Sequence, residues 1–119
     1  MKLWYSNSSP YARKARAVVQ YHQLQDHVEL LLATSGLDKN SPHNLDNPLG
    51  RLPALQQENG EWLYNSSLIA EYLDHLATQP SLYGNSETRW EILRLHYLAD
   101  GILENEISVA PEKHLRPQE

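Results

Sequence analysis

The sequence predicts an α/β domain in which a βαβ unit, a β-hairpin and a helix build a mixed four-stranded sheet, followed by the start of an all-α domain. Three observations carry that expectation. Two short apolar runs, Leu3-Trp4-Tyr5 and Val28-Glu29-Leu30-Leu31-Leu32, flank a segment patterned as a helix. Two more, Leu52 to Gln56 and Glu61 to Tyr64, are parted by a turn containing Asn59-Gly60. After the linker Pro80 to Ser86 no strand pattern returns, and the apolar residues repeat at helical intervals.

Taken in order, residues 1–6 read as the first strand. Ser8-Ser9-Pro10 then turns sharply into a helix, because proline suits the first helical position and a serine just ahead of it suits the cap. Tyr11, Ala15, Val18, Val19 and His22 form the stripe of that helix. The aliphatic run His27 to Leu32 reads as a buried second strand parallel to the first, since a crossover helix separates the two. Residues 33–48, with Gly36, Pro42 and Pro48, read as a loop holding a turn or two of irregular helix. The hairpin follows, with Asn59 and Gly60 supplying the positive φ angles of a tight turn. Asn65, Ser66 and Ser67 offer capping oxygens to a helix whose face is Ile69, Tyr72, Leu73 and Leu76. The domain boundary falls between 1–79 and 80–119, and one long helix runs from about Glu87 to Ile107 before Pro111 and Pro117 close the chain in a polar tail. Its apolar residues cover more than one face, so it must pack on two sides.

Composition bounds the function. In 119 residues, 40% are hydrophobic, with seven Tyr and three Trp, enough bulky apolar groups for a packed core. A formal net charge of −5 excludes a polyanion-binding surface, so nucleic acid is not an expected partner. With no cysteine the chain has no disulfides and no thiol chemistry of its own. The start, Met1-Lys2-Leu3-Trp4-Tyr5-Ser6, holds no long apolar signal region, and a cytoplasmic location without membrane contact is expected. Of the six histidines only His22 and His27 stand within five positions of each other, and they fall on different expected elements, a helix and a strand, so no metal is expected and the histidines read as surface or packing residues.

The chemistry concentrates at three places. Ser9 stands where a helix begins, beside unpaired backbone N–H groups and the positive end of the dipole, a place to hold an anion as well as a place for a plain N-cap. Arg13, Lys14 and Arg16 crowd the first two turns of that helix, where positive charge opposes the dipole; a bound anion would compensate, and a solvated cationic face explains them equally, so they are not counted as site residues. Leu52-Pro53 opens a strand, and Asn65-Ser66 opens a helix whose N–H groups suit a carboxylate.

Ser9-Pro10-Tyr11-Ala12 resembles the Cys-Pro-Tyr-Cys motif of glutaredoxins with both cysteines replaced, on a thioredoxin-like order of elements. Together with Asn47-Pro48-Leu49-Gly50-Arg51-Leu52-Pro53-Ala54-Leu55 and Asn65-Ser66-Ser67-Leu68-Ile69-Ala70-Glu71-Tyr72-Leu73, the chain resembles the N-terminal half of a bacterial glutathione S-transferase of the serine type. The resemblance implies glutathione as co-substrate, with no metal. It implies Ser9 as the donor to the thiolate, with Ser8 and then Tyr5 as alternatives. It further implies a cis Leu52-Pro53 bond that frees the Leu52 backbone for the cysteinyl unit, and Asn65 and Ser66 for the γ-glutamyl carboxylate. Family members carry an acidic residue or Gln where Asn65 stands, so this departure implies weaker glutathione binding. A small electrophile would be the second substrate, and a homodimer would form through the hairpin and third helix against Trp90, Leu93 and Tyr97 of the long helix. The family continues with further helices that wall the electrophile site, whereas this sequence stops after the first, so a non-catalytic glutathione-binding or regulatory module is the competing expectation.

Overall fold

The structure is a computed structural model that describes residues 1–34 and 38–115, with side chains described as far as residue 109. It divides into two compact units, Met1–Ser81 and Leu82–Glu119.

The first unit carries the sheet. Strand β1 (Lys2–Tyr5) pairs in parallel with β2 (Glu29–Leu32), and helix α1 (Pro10–Tyr21) is the crossover between them. Strand β3 (Ala54–Gln56) runs antiparallel to β1, and β4 (Trp62–Tyr64) antiparallel to β3, giving the order β2-β1-β3-β4. This is the mixed four-stranded sheet and thioredoxin-like α/β fold that the sequence predicts. A short helix α2 (His43–Asp46) interrupts the loop before β3, and α3 (Ser66–Leu76) follows β4.

The core lies where α1 and α3 meet the sheet. Leu3, Leu55, Ile69 and Leu73 are fully buried, packed with Ala15, Val18, Val19, Val28 and Ala70. Burying each large aliphatic side chain contributes about 1.5–3 kcal/mol. The stripe on α1 packs as its spacing requires; on α3, Ile69 and Leu73 are buried while Leu76 remains exposed.

The loop ahead of β3 is built on polar contacts to distant residues. Trp4 Nε1 donates to Asp46 Oδ2 at 2.7 Å, and the Tyr64 hydroxyl donates to the Asp46 carbonyl at 3.1 Å. His43 is fully buried; its Nε2 lies 3.2 Å from the Gly50 carbonyl and its Nδ1 2.7 Å from Ser41 Oγ. A carbonyl only accepts, so Nε2 carries the proton and Nδ1 takes the serine hydroxyl. The Asn47 side chain caps the next turn, accepting from the Leu49 N–H and donating to the Arg51 carbonyl. Gly50 has φ +61°, a conformation that favours glycine, and a Cβ there would also fall 2.8 Å from Asn44 Oδ1, whose side chain would have to shift.

Three expectations are corrected. The parallel second strand is not buried as expected: β2 is the edge strand, and Leu30 and Leu32 on it are 43% and 57% exposed. In the hairpin turn only Gly60 has a positive φ, +89°; Asn59 instead acts through its side chain, whose Oδ1 accepts from the Glu61 N–H at 3.0 Å. In the second unit the long helix α4 spans Arg89–Leu115, so the backbone stays helical across Pro111 where a polar tail is expected. Proline removes one hydrogen bond from the ladder, and here that loss does not end the helix. Within this unit Asn85 caps the approach to α4, its Oδ1 accepting from the N–H groups of Glu87 and Thr88.

Candidate functional site

The strand register gathers the three motifs at one end of the sheet. Trp4 stands opposite Ala54, and Ala54 opposite Tyr64, forming a row across β1, β3 and β4. Just past that row, β1 runs through Tyr5 toward Ser8 and Ser9, β3 is entered from Leu52-Pro53, and β4 ends at Asn65. Residues some forty to sixty positions apart in the chain are thus neighbours because antiparallel pairing reverses direction twice.

Each motif then takes its local form. Ser9 is the N-cap of α1, and its Oγ accepts from the Ala12 N–H at 3.1 Å, with Pro10 at the first helical position. Used as an acceptor, that hydroxyl keeps its proton for donation. Ser8 is exposed, and its Oγ lies 3.5 Å from that of Ser6. The Tyr5 ring is covered by the Arg16 guanidinium, 4.5 Å from its centroid. The Leu52-Pro53 peptide is cis. Leu52 lies outside the ladder, and among the described residues neither its N–H nor its carbonyl has a hydrogen-bond partner.

Asn65 is the N-cap of α3, its Oδ1 accepting from the Ser67 N–H at 2.8 Å. It holds φ 74° and ψ 123°, a sparsely populated region for a residue with a Cβ. Such a conformation costs on the order of 1–3 kcal/mol and persists where the surroundings impose it. Ser66 and Ser67 are both buried. Neither α1 nor α3 has an acidic residue in its first turn, so both helix starts keep their positive potential.

Sequence reasoning set Lys14 aside, and the structure brings it to the site's edge. Its Nζ donates to Ser67 Oγ at 3.0 Å, linking the second turn of α1 to the first of α3. The signal was present: Lys14 follows Tyr11 by three and precedes Val18 by four, which puts it beside the packing stripe. Trp90 and Tyr97, on the second unit, are exposed, and Leu93 is half-buried. Among the described residues no cluster of three or more His, Asp or Glu side chains is arranged to hold a metal.

Comparison with known proteins places the fold in a family. The glutathione S-transferase N-terminal domain matches residues 8–76. The chain is 30% identical, over 115 aligned residues, to the uncharacterised GST-like protein YibF of Escherichia coli K12, covering 87% of this chain and 50% of that protein. It is 39% identical over 77 residues to maleylacetoacetate isomerase of Pseudomonas aeruginosa, covering 52% of this chain and 36% of the enzyme. A glutathione S-transferase from Methylobacillus flagellatus KT, solved with GSH bound, superposes with a TM-score of 0.88 at 36% identity, over 98% of this chain and 56% of the other. A transferase family member from Pseudomonas fluorescens Pf-5 with bound glutathione gives 0.86 at 36% identity, over 98% and 58%. The chain thus spans half or less of the length of the curated relatives it matches. By the matched domain, and by a fold shared with transferases solved with glutathione, the chain belongs to the glutathione S-transferase family and carries its N-terminal domain.

Proposed function

We propose that this chain is the glutathione-binding part of a transferase that adds the glutathione thiolate to a small electrophile. The observation that carries the reading is the row at one end of the sheet, where two positively polarised helix starts flank an unpaired strand edge. An extended γ-glutamyl-cysteinyl-glycine fits that arrangement: its cysteinyl backbone adds to the Leu52 edge as a short strand, and its γ-glutamyl carboxylate meets Asn65-Ser66 at the start of α3. Its thiol then reaches the Ser9 hydroxyl. A free thiol has a pKa of about 8.5, and a hydroxyl donor at a helix start favours the reactive thiolate. The thiol proton leaves to solvent, the sulfur forms a bond to the electrophilic carbon as that carbon gives up its bond to a leaving group or a π bond to its neighbour, the electron pair going with the departing group or onto the neighbouring atom, and Ser9 acts by hydrogen bonding alone.

Ser9 is favoured over Ser8 because it occupies the cap itself, and over Tyr5 because Arg16 covers that ring. Asn65 brings no carboxylate to a γ-glutamyl ammonium, which supports modest affinity. The fold also supports a homodimer in which the β3–β4 hairpin and α3 of one copy meet Trp90, Leu93 and Tyr97 of another. A cytoplasmic role in detoxification completes the reading; no helix among the described residues is long and apolar enough to cross a membrane.

Retention on immobilised glutathione followed by an assay of thioether formation tests it. Ser9→Ala should lower kcat roughly 10²-fold, as for loss of one preorganised donor, and leave retention intact. Full turnover by Ser9→Ala, with loss in Ser8→Ala, would move the role to Ser8. Retention without conjugation would leave a binding module, and no retention would end the glutathione reading.

A further inference from the structure

We infer that Lys14 is a positioning residue for the carboxylate end of this site, making that end respond to the charge of the γ-glutamyl carboxylate; the inference rests on the glutathione reading above. Lys14 sits in the second turn of α1, and its ammonium donates to Ser67 Oγ at 3.0 Å, inside the first turn of α3. The Ser67 N–H is taken by Asn65 Oδ1, and the lysine acts on the side-chain hydroxyl of the same residue. A hydroxyl that accepts from an ammonium becomes a stronger donor, and the ammonium adds positive potential to a helix start that has no acidic residue of its own.

Ser66 supplies an independent sign that the turn awaits a ligand. It is only 6% exposed, and its hydroxyl has no hydrogen-bond partner among the described residues. Among the described residues only His22 Nδ1 is a fully buried side-chain atom without a partner, so the Ser66 hydroxyl is open to a polar group arriving from outside. A carboxylate meets the Ser66 hydroxyl, the Ser66 N–H at the start of α3 and the field of Lys14 together. Lys14 also joins the two helices whose starts receive the two ends of one ligand, so it holds the spacing between thiolate and carboxylate.

A ligand-and-mutant cycle separates this role from simple bracing of the two helices. Calorimetry on the folded protein would compare glutathione with γ-aminobutyryl-cysteinyl-glycine, which lacks only the γ-glutamyl α-carboxylate. Lys14→Met should weaken glutathione about tenfold and the truncated tripeptide less than about twofold, the difference expected for one charge-assisted contact. Lys14→Arg should restore most of the loss. Ser67→Ala, which removes the acceptor, should show the same selectivity for the carboxylate-bearing ligand and serves if Lys14→Met does not fold. Equal losses for both ligands would make Lys14 a brace and overturn the inference while leaving the glutathione site standing. Failure of the unmodified protein to bind glutathione would overturn both.

Discussion

Asn65 concentrates the local physics of the site in one residue. Its side chain caps α3 while its backbone sits at φ 74°, so the same residue gives and takes stability. Replacing a capping Asn by Ala costs about 1 kcal/mol, while glycine costs only a few tenths and adopts positive φ freely. Stability should therefore fall in the order Asn65, Asn65→Gly, Asn65→Ala, with the alanine variant about 1–3 kcal/mol below the parent because it also keeps the strained backbone. Urea denaturation checks this, and an alanine variant as stable as the glycine one would refute the strain. The cap at Asn65 was legible in the sequence because Asn and Ser precede an apolar helical stripe, but the positive φ was not. Asn is merely tolerant of that region, and what imposes it is the path from β4 into α3. Ser9 was legible on both counts, since Ser-Pro encodes cap and first turn locally. Lys14 was not, because its partner lies 53 residues away.

At the scale of elements, α2 and the loop around it show where local pattern ends. Four residues of helix are too few to persist by propensity, so α2 must be held from outside. Trp4 and Tyr64 hold it through Asp46, and the loop they fix leads directly into Leu52. Trp4→Phe keeps most of the ring but removes the Nε1 donor to a carboxylate, and should destabilise the domain by about 1–2 kcal/mol. Protease cleavage between residues 38 and 51 should rise with it. Unchanged cleavage there would mean that Trp4 does not govern the loop. The strands and α3 were legible because apolar runs, the Asn59-Gly60 turn and helical spacing lie within each segment. The loop was not, since 42 residues separate Trp4 from Asp46.

A second tie joins the far ends of α1 and α3. His22 Nε2 and Asp74 Oδ1 are 2.8 Å apart and buried, and Ser81 Oγ donates to Asp74 Oδ2 at 2.5 Å. The other ring nitrogen of His22, Nδ1, is buried without a partner. Asp74→Ala would leave both imidazole nitrogens unmet and should cost roughly 2–3 kcal/mol, whereas Asp74→Asn, which keeps an acceptor oxygen, should cost less than half of that. Equal losses in thermal denaturation would show that the hydrogen bonds at this position carry little of the stability.

For the whole molecule, the balance of apolar surface differs between the two units. Every residue assigned to the glutathione site lies in Met1–Ser81, which has a packed core of its own. On α4, Trp90 is 76% exposed, and Tyr97, Leu98 and Ile102 are 57–58% exposed, with Tyr97 seven residues after Trp90 and therefore on the same side of the helix. Apolar surface of that extent on one helix is seldom left to solvent in a stable monomer. The sequence already implied this, because apolar residues on more than one face of a long helix require cover on more than one side. The 119-residue chain should therefore associate. Sedimentation at micromolar concentration should give a dimer or larger species, and the double substitution Trp90→Glu and Tyr97→Glu should shift it toward monomer. Because those residues lie outside the unit that holds the site, the same double variant should keep glutathione affinity within about twofold, a change comparable to ordinary surface substitutions. A monomeric parent would remove α4 as an association surface, and a large loss of affinity in the dissociated variant would mean that glutathione binding needs the assembly.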